Sequence, residues 1–523
     1  MPSEFDELVA DLASLNVRIR LSTSGELLVD ALPGTIDTAL KERIAANKPH
    51  LLRMLAMHAE ASDAAQIAPI STRDSEFPAS YSQESLWLHE QLSGKDSYNV
   101  SFVLRVRGTL DAHVLRLAFR SVVRRHEVLR TTFRFDGFRL TQRLSADIEQ
   151  DFVIRDLVHL GEVEQKRALD DALSRLAREP FDLETGPMHR CGLFRLSESV
   201  HAFTLVLHHM VFDHWSRGPL ARDLVAFYSA LSAGDPVSLP VLPVQYRDYA
   251  AWQRRRLEGA YGQRLLAYWT ETLRDAPPLL RLPTDRSRRS FDTFSADRVL
   301  FSLDGDRTGA LGALARREGT SLFMLLEAAF AVLMYRYTGQ DDLCVGTPVA
   351  GRSRSELEGL VGLFVNTLVL RTRVVGDEPF IHFLIKVRDV VLQAFSHQEF
   401  PFDQLVQELK PIRSAGVTPL FQVLFALQNT PVESLQAAGL TFDLLPSPTR
   451  SAKFDLAWTF TEHGGKLFGK IEYNTDLFDE ATVQRMARHY EVLLEGICAD
   501  PQAKVSDLPL LAAQERHQIL VEW

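Results

Sequence analysis

Residues 201–231 read HAFTLVLHHMVFDHWSRGPLARDLVAFYSAL, and three kinds of structure follow one another within that stretch. The apolar run up to the paired histidines predicts a strand. The next residues break its period and gather His208, His209, Asp213, His214 and Ser216 into a polar loop. From about Gly218 the spacing predicts an amphipathic helix. Two adjacent histidines at a strand end point to opposite faces, so one should face the core and the other a cavity.

Working outward, helical segments such as DAHVLRLAFRSVVRRHEVLR (111–130) alternate with strand-like runs such as SFVLRVRG (101–108) and GLFVNTLVLRTRV (362–374). This alternation predicts an α/β or α+β body beginning near Phe77. A polar, proline-containing stretch at 273–290 predicts a crossing between two lobes, placed at 275/276. Upstream, residues 4–15 have helical spacing, VRIRLSTSGELLVDA (17–31) reads as a hairpin, and helical periodicity resumes over 36–60. The expected organisation is a small α+β unit over 1–60, a linker over 61–76, lobes over 77–275 and 276–510, and a connecting segment over 511–523.

The 523 residues exceed what one core normally organises. With 46% hydrophobic and 24% charged residues, the composition is that of a globular chain with a large core. A formal net charge of −10 disfavours nucleic-acid binding, despite the local RSRRS cluster at 286–290. Cys191, Cys344 and Cys498 are too few and too scattered for a disulfide framework or a metal site, and predict reduced thiols. The acidic, polar start is unlike a signal peptide, and no apolar run approaches membrane-spanning length, so a cytoplasmic protein with no membrane association is expected. An Asp four residues after the paired histidines raises zinc, but no second ligand cluster stands elsewhere, so no metal is expected.

The HHMVFDHWS segment resembles the HHxxxDG signature of the condensation domains of nonribosomal peptide synthetases, within the chloramphenicol acetyltransferase-like superfamily. It is joined in order by YSQESLWLHEQL (81–92), RHEVLRTTF (125–133), YRDYAAWQ (246–253), GTPVAGRSRSELEGLVGLFVNT (346–367) and HQEFPFDQLVQEL (397–409). Together these resemble the family's successive motifs across nearly all of 77–523. The resemblance implies two chloramphenicol-acetyltransferase-like lobes in a V around a tunnel. Residues 1–60 resemble the N-terminal docking domains of the tubulysin-synthetase type, and AAQERHQILVEW (512–523) resembles the linker into an adenylation domain.

What the resemblance implies is amide formation between two thioesters, each held on the phosphopantetheine of a partner carrier protein, with no cofactor bound by this segment itself. His209 is then the catalytic residue, as base or as positioning group, because an imidazole can take the proton that the attacking amine must shed. The family pattern makes His208 structural, with Asp213 paired to Arg352 to fix the loop. His214 replaces the signature glycine and narrows the space there. Candidate contacts to substrate or pantetheine are His214, Ser216, Gly218, Asn366 and Ser82, while Trp215 is expected to pack. Implied partners are upstream and downstream carrier proteins, a C-terminal docking peptide of an upstream synthase, an adjacent adenylation domain and a second copy of the chain through the docking region. An epimerisation domain shares the HHxxxD motif, and an inactive recruitment platform would keep the fold without the chemistry. A heterocyclisation domain would carry Asp in place of His208 and His209.

Overall fold

In a computed structural model of the chain, the described residues are 18–21, 27–30, 41, 48, 67–71, 74–93, 98–146, 151–288, 295–411, 417–428, 435–445 and 453–522. The chain divides into two compact units, residues 1–68 and 69–523. In the first, Arg18–Leu21 pairs antiparallel with Leu27–Asp30, with Arg18 opposite Asp30. The helices expected over 4–15 and 36–60 fall largely outside the described residues.

The second unit is mixed α/β, as the alternating periodicity predicts. One six-stranded sheet runs in the order Leu435–Ala437, Leu440–Leu445, Asn99–Arg107, Val200–His208, His189–Arg195, Asp151–Asp156. Another six-stranded sheet runs Ala296–Leu303, Lys466–Asn474, Leu456–His463, Val423–Gln428, Asp342–Val349, Asn366–Arg373. A three-stranded sheet is built from Glu76–Pro78, Leu140–Leu144 and Thr131–Phe135. Neither large sheet closes into a barrel.

Helices cover these sheets for legible reasons. Ala112–Arg125 starts at Asp111, whose carboxylate accepts the backbone N–H groups of His113 and Val114 at 2.8 and 3.1 Å. It buries Leu115, Ala118, Phe119, Val122 and Val123, a stripe at three- and four-residue spacing. Leu322–Thr338 is different: every residue from Met324 to Met334 is buried, so this helix is enclosed on all sides. It carries a carboxylate, Glu327, into that interior.

Packing and strand pairing cross the boundary expected at 275/276. Leu265, Trp269 and Leu273, upstream of it, belong to the apolar cluster built around Leu322–Thr338. Conversely, Leu440–Leu445 from the second half pairs antiparallel with Asn99–Arg107 of the first, from Thr441 opposite Arg107 to Leu445 opposite Val103. The sequence shows that LTFDLL is strand-like but not which sheet receives it, because partner choice depends on distant edges.

The ion pairs Arg288–Asp455 and Arg286–Asp479 tie the basic cluster at 286–290 to the second half, so these arginines serve folding. Cys191 and Cys344 are buried, and Cys498 is partly buried. No single helix among the described residues is long and apolar enough to cross a membrane.

Candidate active site

The strand Val200–His208 ends at His208, and the chain turns at once into a short helical turn, His209–Val211. His208 is fully buried, with Nε2 2.5 Å from a carboxylate oxygen of Glu90 and its Nδ1 accepting the Met210 N–H at 3.3 Å. An acceptor at Nδ1 places the ring proton on Nε2, so His208 donates to Glu90. Phe181 meets the ring edge-on, with centroids 6.0 Å apart. Every side of this imidazole is engaged by protein.

His209 is held by its backbone instead. Its N–H donates to the Tyr98 carbonyl at 2.9 Å, and its carbonyl accepts the Phe212 N–H at 3.2 Å. The partly buried ring keeps its Nδ1 buried, with no hydrogen-bond partner among the described residues. Desolvation, reinforced by the charge of Lys453, pushes its pKa down from 6.5 to about 3. At neutral pH the ring is therefore uncharged and free to accept.

The loop beyond is fastened by Asp213. Its Oδ1 accepts from the Ser216 N–H (2.8 Å), the Ser216 hydroxyl (2.7 Å) and Arg352 Nη2 (3.2 Å). Its Oδ2 accepts the N–H groups of Phe364 and Val365 at 2.9 and 3.2 Å. Arg352 also donates through Nη1 to the carbonyls of Leu357 and Leu360, and its guanidinium lies 4.1 Å from the Phe364 ring centroid. The approach needs Gly351, which has φ +64° and whose missing Cβ would lie 1.9 Å from the Phe364 carbonyl oxygen.

Ser216, expected as a substrate contact, has its hydroxyl spent on the loop itself. It is fully buried, and its hydroxyl bonds Asp213, accepts from Arg352 Nη2 and from the Gly362 N–H, and lies 3.0 Å from the Gly362 carbonyl. Gly218 does not present a free N–H either, since that group donates to the Trp215 carbonyl at 3.3 Å. Nothing lies within 4 Å of where its Cβ would be, so no crowding requires glycine there. Trp215, expected to pack, is 42% exposed.

His214 is exposed and outside the left-handed region, so its backbone suits a non-glycine residue. Its pKa nevertheless falls to about 4, chiefly through desolvation, with Arg217 and Lys470 adding positive charge.

Asn366 and Ser82 line a separate small recess of about 30 Å³, together with Tyr249, Trp252, Gln253 and Glu399. The polar atoms of Asn366 are spent there: Nδ2 donates to the carbonyls of Gln398 and Phe400 at 2.8 and 2.7 Å, and Oδ1 accepts the Phe402 N–H at 3.0 Å. Asn366 thus clamps the 398–402 turn, while Ser82, Ser353 and Tyr249 bring hydroxyls to the same recess. Among the described residues no group of three or more His, Cys, Asp or Glu side chains could hold a metal ion.

Sequence reasoning named Gln83 of YSQES beside Ser82 as a site candidate, and missed Glu90, Tyr98 and Lys453. Gln83 donates to the Met210 carbonyl at 3.0 Å, supporting the turn that displays His209. A signal existed, since Gln83 and Glu90 lie seven residues apart on the helix Tyr81–Ser93 and so share the face turned to the histidines. For Lys453 the sequence carried no signal.

The geometry has counterparts in known proteins. The Condensation domain family profile matches residues 73–520. The chain is 41% identical to chondramide synthase cmdD of Chondromyces crocatus over 447 residues, covering 85% of this chain and 11% of that protein. It is 40% identical to the phosphinothricin tripeptide synthetase PhsB of Streptomyces viridochromogenes over 85% of this chain and 38% of that protein. It therefore spans well under half the length of these relatives. Among solved structures, the X-domain from teicoplanin biosynthesis superposes with TM-score 0.77 at 28% identity, covering 85% of this chain and all of that one. SgcC5 from Streptomyces globisporus superposes with TM-score 0.68 at 28% identity over 82% of this chain and 100% of its own. The chain belongs to the Condensation domain family of nonribosomal peptide synthetases.

Proposed function

We propose that the chain forms an amide bond by attack of a carrier-bound aminoacyl amine on a carrier-bound acyl or peptidyl thioester, with His209 as the catalytic residue. The observation that carries this reading is the state of the His209 ring, uncharged at neutral pH and with no hydrogen-bond partner among the described residues, beside a His208 wholly consumed by structure. A thioester is already electrophilic, so the reaction needs placement and a proton acceptor. Holding two tethered reactants at attack distance is worth roughly 7–11 kcal/mol. A neutral imidazole then orients the amine and receives its proton as the C–N bond forms. A pKa of about 3 makes His209 a weak store of that proton, which favours orientation and transient transfer.

In this reading His208, Asp213 and Arg352 hold the loop in shape, His214 lines the approach, and the recess beside Ser82 admits a phosphopantetheine arm. Carrier proteins on both sides, an adjacent adenylation domain and an upstream synthase whose C-terminal tail meets residues 1–60 are the partners. The test is product formation from carrier-loaded donor and acceptor. Wild type makes amide, and His209→Ala is slower by at least 100-fold with unchanged melting. Equal turnover by both variants rejects the assignment.

A second reading, a recruitment platform, is favoured by one observation: an X-domain solved in complex with OxyB superposes with TM-score 0.76 at 28% identity. It requires wild type and His209→Ala to be equally inert with every carrier pair while both still bind a partner protein.

A further inference from the structure

Lys453 enters the His209 site from the other half of the chain, at the foot of the strand Leu456–His463. Its Nζ lies 4.7 Å from the ring centroid of Tyr98, and the Tyr98 carbonyl is the acceptor that holds the His209 N–H at 2.9 Å. Lys453 thus stands over the residue that anchors the imidazole, near enough for its charge to act on the His209 ring.

Among the described residues Lys453 makes no ion pair, unlike Arg125, Arg254, Arg256, Arg352 and Arg371. Its side chain is exposed to water. Desolvation pulls its pKa down from 10.5 to about 8. With no ion pair among the described residues, this ammonium keeps its charge for an anion that forms beside it.

We propose that Lys453 is a further catalytic residue, whose ammonium binds the negatively charged oxygen created when the thioester carbonyl next to His209 is attacked. The inference rests on the amide-forming reading above. The amine lone pair forms the C–N bond while the carbonyl π pair moves onto oxygen. That oxyanion is the anion Lys453 meets. Its collapse restores C=O and breaks C–S, and the proton shed by nitrogen passes by way of His209 to the departing thiolate. No oxidant, reductant or further reactant enters.

A fixed charge aimed at developing negative charge acts on the transition state more than on the ground state. Removing it should therefore slow the chemical step and leave carrier binding nearly unchanged.

The experiment is single-turnover amide formation with carrier-loaded donor and acceptor, comparing wild type with K453M, K453Q and K453R, with melting followed for each. Expected is a loss of about 100-fold in the chemical step for K453M and K453Q, as for removal of one oxyanion donor. Carrier affinity should stay within threefold, and K453R should recover at least tenfold. A pantetheine-linked phosphonamidate, which mimics the tetrahedral intermediate, should bind wild type at least 30-fold more tightly than K453Q. Chemical steps within threefold of wild type for K453M and K453Q, or K453R no better than K453M, overturn the proposal. Rates that fall only in parallel with melting or carrier affinity also overturn it. If wild type itself makes no amide with any carrier pair, the parent reading fails instead.

Discussion

Asp213 Oδ1 and Arg352 Nη2 meet at 3.2 Å with side chains 1% and 2% exposed, one from the histidine loop and the other from the GTPVAGR segment 139 residues later. Removing one partner strands the other charge in the interior. Asp213→Ala and Arg352→Ala should each lower unfolding free energy by roughly 3–5 kcal/mol. Asp213→Ala/Arg352→Met should lose less than the sum, because neither charge is then left alone. Urea unfolding of the three variants checks this, and an additive result would show that the pair is not coupled.

Ser216→Ala should weaken folding by roughly 1–3 kcal/mol, since it removes the hydroxyl shared by Asp213, Arg352 and the Gly362 backbone. Because Ser216 is buried, KM for either carrier should not move. A raised KM in a fully folded Ser216→Ala protein would return this residue to the substrate surface.

Desolvated histidines set a direction for acid sensitivity. His209 and His189 have pKa values pushed down from 6.5 to about 3 and about 4, in both cases chiefly by desolvation. Between pH 6.5 and those values the unfolded chain binds protons that the folded chain refuses, so stability falls as pH falls. Above pH 6.5 both states are neutral and the contribution is complete. For His209 the loss at pH 5 relative to neutral pH is about 2 kcal/mol. His209→Gln should narrow the difference in urea midpoint between pH 7.5 and pH 5, and an unchanged difference would contradict it.

Glu327 works in the opposite direction. It is buried with neither carboxyl oxygen hydrogen-bonded among the described residues, and desolvation raises its pKa from 4.5 to about 8. From pH 4.5 to 8 the folded chain holds a proton that the unfolded chain releases, so this residue destabilises folding increasingly as pH rises. Glu327→Gln should match wild type near pH 4.5 in its pH-dependent part and gain on the order of 3 kcal/mol by pH 7. Calorimetry across that range provides the check. Parallel stability curves would mean that the carboxyl has a partner.

Ser82→Phe should fill much of the recess it shares with Trp252 and Glu399. If a phosphopantetheine arm threads that space, amide formation should drop at least tenfold while melting stays within about 2 °C, because Ser82 is only partly buried. Unchanged turnover would place the arm elsewhere.

The sequence made local elements and one long-range pairing legible. The strand, turn and helix of 200–233 follow from periodicity, and the meeting of Asp213 with Arg352 could be written from two motifs. The roles of Ser216 and Asn366 could not. A polar residue beside a cavity looks the same in sequence whether its hydrogen bonds point into the cavity or back into the loop. Glu90 was hidden for the opposite reason, since a carboxylate in an amphipathic helix looks solvated until a buried imidazole is placed against it. Lys453 depends on the meeting of two halves of the chain, and no local pattern encodes that.

The strand Leu440–Leu445 bears on how such proteins can be recombined. It completes the sheet of the first half by capping Asn99–Arg107, which otherwise would be an open edge offering unpaired backbone groups to any passing strand. A chimera exchanged at residue 275 would therefore inherit a mismatched seam, with one parent's sheet closed by the other parent's ribbon. Grafts that carry 435–445 along with the first half keep that seam native, and they should express as monomeric material where the simpler exchange aggregates.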